Sequence, residues 1–154
     1  MTIVIKTVAI DSLTPDPDNA RSHPEQNLKA IAGSLETFGQ VKPLIVNGQS
    51  IVLAGNGTLE AAKSLGWTEI EVAQVPAHWT WEQQRAFALA DNRTAELAIW
   101  DSEKLAAQLL ELDSVGWELD NVGFEKLQPP TEELPTPKRK PVTCPDCGAE
   151  FVPE

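Results

Sequence analysis

The apolar positions in the first half of the chain follow two spacings, alternate residues and every third or fourth residue, which together are typical of mixed strands and helices. Thr2 to Ile10 is rich in β-branched residues and predicts an opening strand. Apolar residues at helical spacing predict a first helix over residues 27–38, and Gly39 is expected to end it. The chain therefore starts as an alternation of strand and helix.

A β-hairpin is predicted after the first helix. The stretches VKPLIV and SIVLA have strand character, and the Asn47-Gly48 pair between them is typical of a two-residue hairpin turn. Further along, TEIEVAQV alternates in polarity and predicts another strand. These stretches supply the strands of one small sheet.

Between the hairpin and that last strand lies AGNGTLEAAKSLG, which predicts a glycine turn followed by a helix. Gly55 and Gly57 permit backbone conformations that other residues avoid, and Thr58 is expected to cap the helix. Gly66 is expected to end it. A helix N-terminus binds anions through free N–H groups and its dipole, without any basic side chain. The alternative interpretation is a plain tight turn, because two glycines at this spacing are weak evidence alone.

After Pro76 the pattern becomes helical. WTWEQQRAFALADNRTAELAIW predicts one helix, and Asp101 or Ser102 is expected to cap the next. Residues 119–127 predict a short final element, and five prolines between Pro129 and Pro141 then predict an extended linker.

The sequence predicts four segments in one domain with a tail. Residues 1–78 form an α/β core, and residues 79–127 form a helical extension of the same domain. Residues 128–143 are a proline-rich linker, and residues 144–154 are a short tail with a CxxC pair.

Composition and charge narrow the class of protein. The 154 residues carry a net charge of -11, with nine basic and 18 acidic side chains within residues 1–127. This field opposes tight non-specific binding to a phosphate backbone, so a free-standing DNA clamp is not expected. No run of 18 apolar residues and no signal peptide is present, so we expect a cytoplasmic protein without a membrane partner.

Four motifs in order and spacing resemble those of a known family. They are NAR (residues 19–21), SLETFGQVKP (residues 34–43), AGNGTLEAAKSLG (residues 54–66) and ADNR (residues 90–93). Residues 3–127 resemble the ParB/sulfiredoxin superfamily, and more narrowly the ParB N-terminal-like domains of phages and mobile elements that accompany DNA methyltransferases. The resemblance implies an α+β fold with a small mixed sheet, surrounding helices and a C-terminal helical extension.

The resemblance also implies a nucleotide site with magnesium. The glycine turn would hold the phosphates of a nucleoside triphosphate, an acid-Asn pair would stand near the ion, and a preceding loop would close over the pocket. In this sequence the phosphate-binding residues would be Gly55, Asn56, Gly57 and Thr58. The metal-binding pair would be Asp91 and Asn92, and the closing loop would contain Asn19 and Arg21.

Two departures from the family pattern bear on the chemistry. Asn56 and Thr58 stand where the group usually has histidine and arginine, so a charge that would balance phosphate is missing. The turn also lacks the catalytic cysteine of sulfiredoxins, which excludes sulfinic-acid reduction.

The polar side chains of these motifs could also have structural roles that involve no ligand. Asp91 and Asn92 could be exposed polar residues at a helix bend that bond to nearby backbone. Arg21 could be a surface residue paired with an acid, and His23 an ordinary loop histidine.

Cys144 and Cys147 have the spacing of half a zinc knuckle. A tetrahedral zinc site needs about four ligands, so zinc would require a second chain or a fold-back of this one. A vestigial tail and a redox pair are the alternatives.

The leading hypothesis is a nucleotide-pocket module, encoded by a phage or mobile element and accessory to DNA modification, partition or packaging. Its expected partners are a nucleotide and either DNA or a DNA-processing protein such as a methyltransferase, and a homodimer stays open. The first alternative is a magnesium-dependent nuclease or nucleoside triphosphatase in which Asp91, Asn92 and Arg21 are the catalytic candidates. The second alternative is an interaction protein whose fold has lost its ligand.

Overall fold

The computed structural model describes residues 4–124, 142–143 and 150–151. The seven strands in these ranges are β1 (Ile5–Ala9), β2 (Thr14–Pro15), β3 (Leu44–Val46), β4 (Ile51–Ala54), β5 (Glu69–Gln74), β6 (Val142–Thr143) and β7 (Glu150–Phe151). The four α-helices are α1 (Glu25–Phe38), α2 (Asn56–Ser64), α3 (Trp81–Leu97) and α4 (Ser102–Ser114). Two 3-10 turns, Ile10–Ser12 and Leu119–Val122, complete the described elements.

Five of the strands form one mixed sheet in the order β1-β5-β3-β4-β2. β1 pairs antiparallel with β5, and β3 pairs antiparallel with β4. The pairs β3–β5 and β2–β4 are parallel. The predicted α+β fold with a small mixed sheet and surrounding helices is therefore confirmed.

The core lies between the sheet and the first two helices. α2 contributes Leu59, Ala61 and Ala62, each at most 1% exposed, and α1 contributes Leu35. These residues pack on the inward side chains of the sheet, so the face of α2 that its leucine and alanines define is fully covered. α1 packs along α2 and along the second 3-10 turn, while α3 packs along β4. This packing sets α2 and α3 on two sides of the end of β4.

The hairpin between β3 and β4 differs from the predicted two-residue turn. The connection runs over residues 47–50, and its residue with positive φ is Ser50 rather than Gly48. Asn47 is buried, and its Oδ1 accepts hydrogen bonds from the N–H groups of Gln49 and Ile51 at 2.9 and 3.0 Å. The side chain of Asn47 thereby adds to the turn's own backbone bonds, which join Ser50 N to Asn47 O at 3.1 Å and Asn47 N to Ile51 O at 3.0 Å.

The boundaries of the other elements follow the predicted pattern with small shifts. β1 is shorter than predicted, since Ile10 begins a 3-10 turn, and α1 begins two residues early at Glu25. Gly39 ends α1 with φ 69°, as predicted. Asp101 caps α4 by accepting a hydrogen bond from the N–H of Lys104 at 3.1 Å, and this bond lowers the pKa of the Asp101 carboxyl.

The tail contributes one small hairpin, in which β6 and β7 pair antiparallel with Val142 opposite Phe151. Cys144 and Cys147 lie outside the described residues, and their zinc-binding role stays a prediction. The four-segment division of the chain also stays a prediction. Within the described ranges, every helix is too short or too polar to cross a lipid bilayer.

Candidate functional site

The glycine turn joins β4 to α2 through Gly55, which has φ 96° and forms the N-cap of the helix. α2 begins at Asn56, so the predicted cap at Thr58 is wrong: Thr58 is already the third helical residue. A Cβ added to Gly55 would lie 2.5 Å from Cδ2 of Leu44. The left-handed backbone and the close approach of Leu44 both require glycine at this position.

The first N–H groups of α2, on Asn56, Gly57 and Thr58, precede the point where intrahelical hydrogen bonds begin, and Leu59 donates the first such bond to Gly55 O at 2.9 Å. They lie at a pocket of about 130 Å³. Its lining consists of Asn19, His23, Ile31, Leu53, Ala54, Gly55, Asn56, Gly57, Thr58 and Asn92. The positive end of the helix dipole therefore meets a mostly uncharged pocket, the arrangement that favours a bound anion.

The predicted closing loop lies at this pocket. Asn19 and Arg21 bond to each other, with Asn19 Nδ2 donating to Arg21 O at 2.9 Å and Arg21 N donating to Asn19 Oδ1 at 3.2 Å. Arg21 Nη1 contacts Asn92 Oδ1 at 3.5 Å and Glu96 Oε1 at 3.3 Å, both on α3. The fold thus brings Asn19, Asn92 and the whole predicted glycine turn, residues 55–58, to one pocket, with Arg21 in contact with Asn92 beside it.

The side chain of Asn56 is used inside the protein. Its Oδ1 accepts a hydrogen bond from the N–H of Asp16, and its Nδ2 donates to Val52 O, both at 3.0 Å. Asn56 therefore ties the start of α2 to β4 and to the chain after β2. Only its backbone N–H remains as a candidate anion contact.

His23 is a site residue that the sequence interpretation missed. Its ring packs on the start of α2, where a Cβ added to Gly57 would lie 2.8 Å from Cε1 and Nδ1 of His23. Nδ1 is 2.9 Å from Asn27 Oδ1, a contact that is a hydrogen bond in the tautomer with the proton on Nδ1. Nothing in the local spacing signals this contact, because it joins the loop to a helix more than 30 residues away.

The two predicted metal-binding residues of the ADNR motif, Asp91 and Asn92, differ in their position relative to the pocket. Asn92 lines the pocket and donates from Nδ2 to Ala88 O at 2.8 Å, within an unbroken α3. Asp91 is exposed and lies outside the pocket lining. Among the described residues no three acidic, histidine or cysteine side chains are grouped to hold a metal ion. The role of Asp91 at magnesium therefore stays a prediction.

A family match decides the assignment of this fold. Residues 2–93, more than half of the chain, match the ParB N-terminal domain. The chain belongs to this family.

Three curated relatives of this ParB domain are similar over parts of their length. A probable chromosome-partitioning protein ParB of Campylobacter jejuni is 37% identical over 67 residues, covering 41% of the chain and 24% of that protein. A nucleoid occlusion protein of Geobacillus thermodenitrificans is 27% identical over 114 residues, 70% of the chain and 40% of that protein. The ParB-like nuclease domain-containing protein YnaK of Escherichia coli is 27% identical over 63 residues, 41% of the chain and 72% of that protein. The chain thus spans less than half the length of the first two.

Solved structures share the ParB fold. A C-terminally truncated chromosome-partitioning protein ParB from Caulobacter crescentus, complexed with CTP-gamma-S, superposes with a TM-score of 0.63 at 17% identity, covering 79% of the chain and 72% of that structure. A pNOB8-like ParB N-domain has a TM-score of 0.52 at 16% identity, covering 98% of the chain and 54% of that structure. At these identities the likeness establishes the fold.

A second, larger pocket adjoins the ParB glycine turn. It has a volume of about 420 Å³ and shares Ile31 and Thr58 with the first. Its wall is the loop after α1, held by Gln40, whose side chain donates to Glu71 O at 2.8 Å and accepts from Glu71 N at 2.7 Å. Gln40 thus pairs with β5 as a neighbouring strand would. The first N–H groups of α2 thus lie beside a roomier space with a mostly apolar lining.

Proposed function

We propose that this ParB domain is a nucleotide-binding module in which the start of α2 holds the phosphates. The observation that carries the proposal is the free first turn of α2 opening into the pocket that Asn19, His23 and Asn92 complete. A protein of the same fold from Caulobacter crescentus was solved with CTP-gamma-S, which supports a cytidine nucleotide as the first ligand to test.

The base and ribose would occupy the larger pocket on the other side of Thr58. Besides its apolar residues, that pocket is lined by the polar side chains of Ser34, Gln40 and Lys42. Because the Gln40 side chain is already bonded to the backbone of Lys42 and Glu71, the side chains of Ser34 and Lys42 and the loop backbone would supply the hydrogen-bond donors and acceptors for a base edge. A nucleoside triphosphate that spans both pockets would therefore contact the helix start and the loop after α1 at once.

Magnesium would come with the nucleotide. Asn92 Oδ1 is an oxygen ligand within the pocket, and magnesium commonly takes one or two ligands from a protein and the rest from phosphates and water. The residues present therefore fit a magnesium ion that is held mainly by the nucleotide. Asp91 would join such a site only after a change in the position of α3.

The biological role proposed for the module is accessory to DNA processing. Two relatives carry names that refer to chromosome partitioning and nucleoid occlusion. We propose partition, modification or packaging of phage or mobile-element DNA, with DNA or a DNA-processing protein such as a methyltransferase as partner. A second copy is a further candidate partner, because Leu97, Ile99 and Trp100 leave an apolar surface 63%, 93% and 70% exposed after α3.

The second candidate function is phosphoryl hydrolysis, which the name of the Escherichia coli relative, a ParB-like nuclease domain-containing protein, motivates. It would require a group that positions or activates water at the phosphates. His23 is the titratable side chain in the pocket lining. Its Nδ1 contacts Asn27, and its other ring nitrogen is outside that contact. Binding of a nucleotide without turnover would favour the module over the enzyme.

Calorimetric titration with the four ribonucleoside triphosphates, with and without magnesium, tests the proposal. We expect saturable, magnesium-dependent binding that is strongest for one base, and no release of inorganic phosphate. Steady phosphate release that Asn92→Ala abolishes would favour the enzyme. Absence of heat with all four nucleotides would contradict both functions and leave the interaction protein.

Arg21 is expected to move from Glu96 to the phosphates when a nucleotide binds. Because a hydrogen bond to a charged group contributes about 1.5–3 kcal/mol, Arg21→Gln should weaken nucleotide binding about tenfold or more. Glu96→Gln removes the anion that competes for Arg21 at 3.3 Å and should tighten binding about threefold. Titration calorimetry at two salt concentrations measures both changes.

Lys104→Gln and Glu103→Gln are the matched controls, because they make the same charge changes on the exposed α4, outside both pockets. Equal effects of Arg21→Gln and Lys104→Gln would show that only net charge matters and would contradict a specific role for Arg21.

A further inference from the structure

The loop of residues 16–21 runs along one face of α3 and is bound to that helix at both ends. At one end Arg85 contacts Asp16 and Asp18, and at the other end Arg21 contacts Asn92 and Glu96. Arg85 and Asn92 are seven residues apart, which is about two helical turns and puts them on the same face. The position of Asn92 at the pocket is therefore set by how this loop and α3 lie together.

Arg85 makes four contacts with the start of the loop. Its Nη1 donates to Asp16 Oδ2 at 2.8 Å and to Asp18 O at 3.0 Å. Its Nη2 donates to Asp18 Oδ2 at 3.1 Å and to Asp16 Oδ1 at 3.4 Å. The side chain of Asp16 is only 5% exposed, and Asp16 Oδ1 also accepts from the N–H of Asp18 at 3.0 Å. A planar guanidinium fits this set of oxygens, whereas an ammonium group could reach only part of it.

The same aspartate reaches the start of α2. The backbone N–H of Asp16 donates to Asn56 Oδ1, and Asn56 Nδ2 donates to Val52 O. A continuous set of hydrogen bonds thus runs from Arg85 through Asp16 to the first residue of the anion-binding helix. Arg85 itself lies outside the lining of the anion pocket, so it cannot act by touching a ligand there.

We infer that Arg85 and Asp16 are positioning residues that hold α3 and the 16–21 loop against the start of α2. Asn92 lines the anion pocket, and Arg21 contacts Asn92 beside it, only while this pair is intact. The effect of this role on binding rests on the proposed nucleotide site. The positions of Asn92 and Arg21 that Arg85 and Asp16 set exist without any ligand.

Three variants separate this role from simple stability. Arg85→Met removes the guanidinium and leaves Asp16 buried without its partner, which endangers folding. Asp16→Asn with Arg85→Met removes both charges and keeps an oxygen to accept from the N–H of Asp18. Arg85→Lys keeps the positive charge but loses the planar guanidinium group with its two terminal nitrogens. Lys104→Met on α4, whose lysine is 80% exposed and pairs with Asp101 outside both pockets, is the matched control.

The readouts are the NMR cross-peak between Asn92 and Arg21 in ligand-free protein and the affinity for CTP with magnesium, each measured well below the melting temperature. Asp16→Asn/Arg85→Met should lose the cross-peak and bind CTP about tenfold more weakly, a typical size for a residue that acts through packed neighbours. Arg85→Lys should fall between this variant and the native protein, and Lys104→Met should match the native protein in affinity.

Either of two results would overturn the inference: a folded Asp16→Asn/Arg85→Met variant with native cross-peak and affinity, or an equal loss in Lys104→Met. If the native protein binds no CTP, the proposed function fails. The cross-peak in the ligand-free variants then still decides whether Arg85 positions Asn92.

Discussion

Gly55→Ala should lower the free energy of unfolding by about 3 kcal/mol, the largest stability effect expected from a single methyl group in this chain. Two causes add. An alanine at φ 96° is strained by about 1–2 kcal/mol, and its Cβ would lie 2.5 Å from the buried Leu44. Urea unfolding monitored by circular dichroism measures the change.

Gly66→Ala is the matched control for this prediction. Gly66 has a similar φ of 77°, but a Cβ added there would meet nothing within 4 Å. Gly66→Ala should therefore lower the free energy of unfolding only by the backbone strain, about 1–2 kcal/mol. A difference between the two variants isolates the contact with Leu44, and equal losses would show that Leu44 moves aside without cost.

Gly57→Val should abolish nucleotide binding while the protein stays folded. The new side chain would displace the His23 ring, which lies 2.8 Å from the position of its Cβ, and would cover the first N–H groups of α2. Since each hydrogen bond to a charged group contributes about 1.5–3 kcal/mol, loss of two should weaken binding about 100-fold or more. Calorimetric titration with CTP and magnesium measures this loss.

Gly57→Ala tests a smaller side chain at the same position, and Gly48→Ala is the control outside the pocket. At Gly57 alanine gains helix propensity but still meets His23, so stability should change little while the affinity falls. At Gly48, in the β3–β4 connection, the nearest atom to a new Cβ is 3.8 Å away, and the affinity should stay native. Native affinity in Gly57→Val would mean that the anion does not bind at this helix start, which would remove the main support for the proposed function.

The acidic charge of the chain shapes what such a site can bind. With a net charge of -11, the protein has no general attraction for polyanions. In the proposed site an anion would instead be favoured locally, by the dipole of α2 and by Arg21 and Lys63, which line an adjoining pocket of about 310 Å³ together with Asp16 and Glu60. This arrangement suits a small anionic ligand better than a nucleic-acid backbone.

The local elements of this protein were determined by the sequence alone. Residue spacing predicted α1, α3, α4 and β5, and glycine predicted the ends of α1 and α2, because amphipathic periodicity and left-handed backbone depend on neighbours within a few residues. The motif order was enough to predict the ParB-type α+β fold. Local spacing failed at the hairpin and at the cap of α2, where Asn47 and Gly55 act through contacts with distant or backbone groups.

Only the tertiary structure decided how the candidate site is built. The contact of His23 with Gly57, the separation of Asn92 from Asp91 and the pairing of Arg85 with Asp16 each join segments more than 30 residues apart or depend on which face of α3 is covered. A sequence pattern records which side chains a helix face carries. Which of them meets a pocket is determined by the packing of helices and loops on the sheet, because hydrophobic burial places the helices and polar contacts such as Arg85 with Asp16 join them to distant loops.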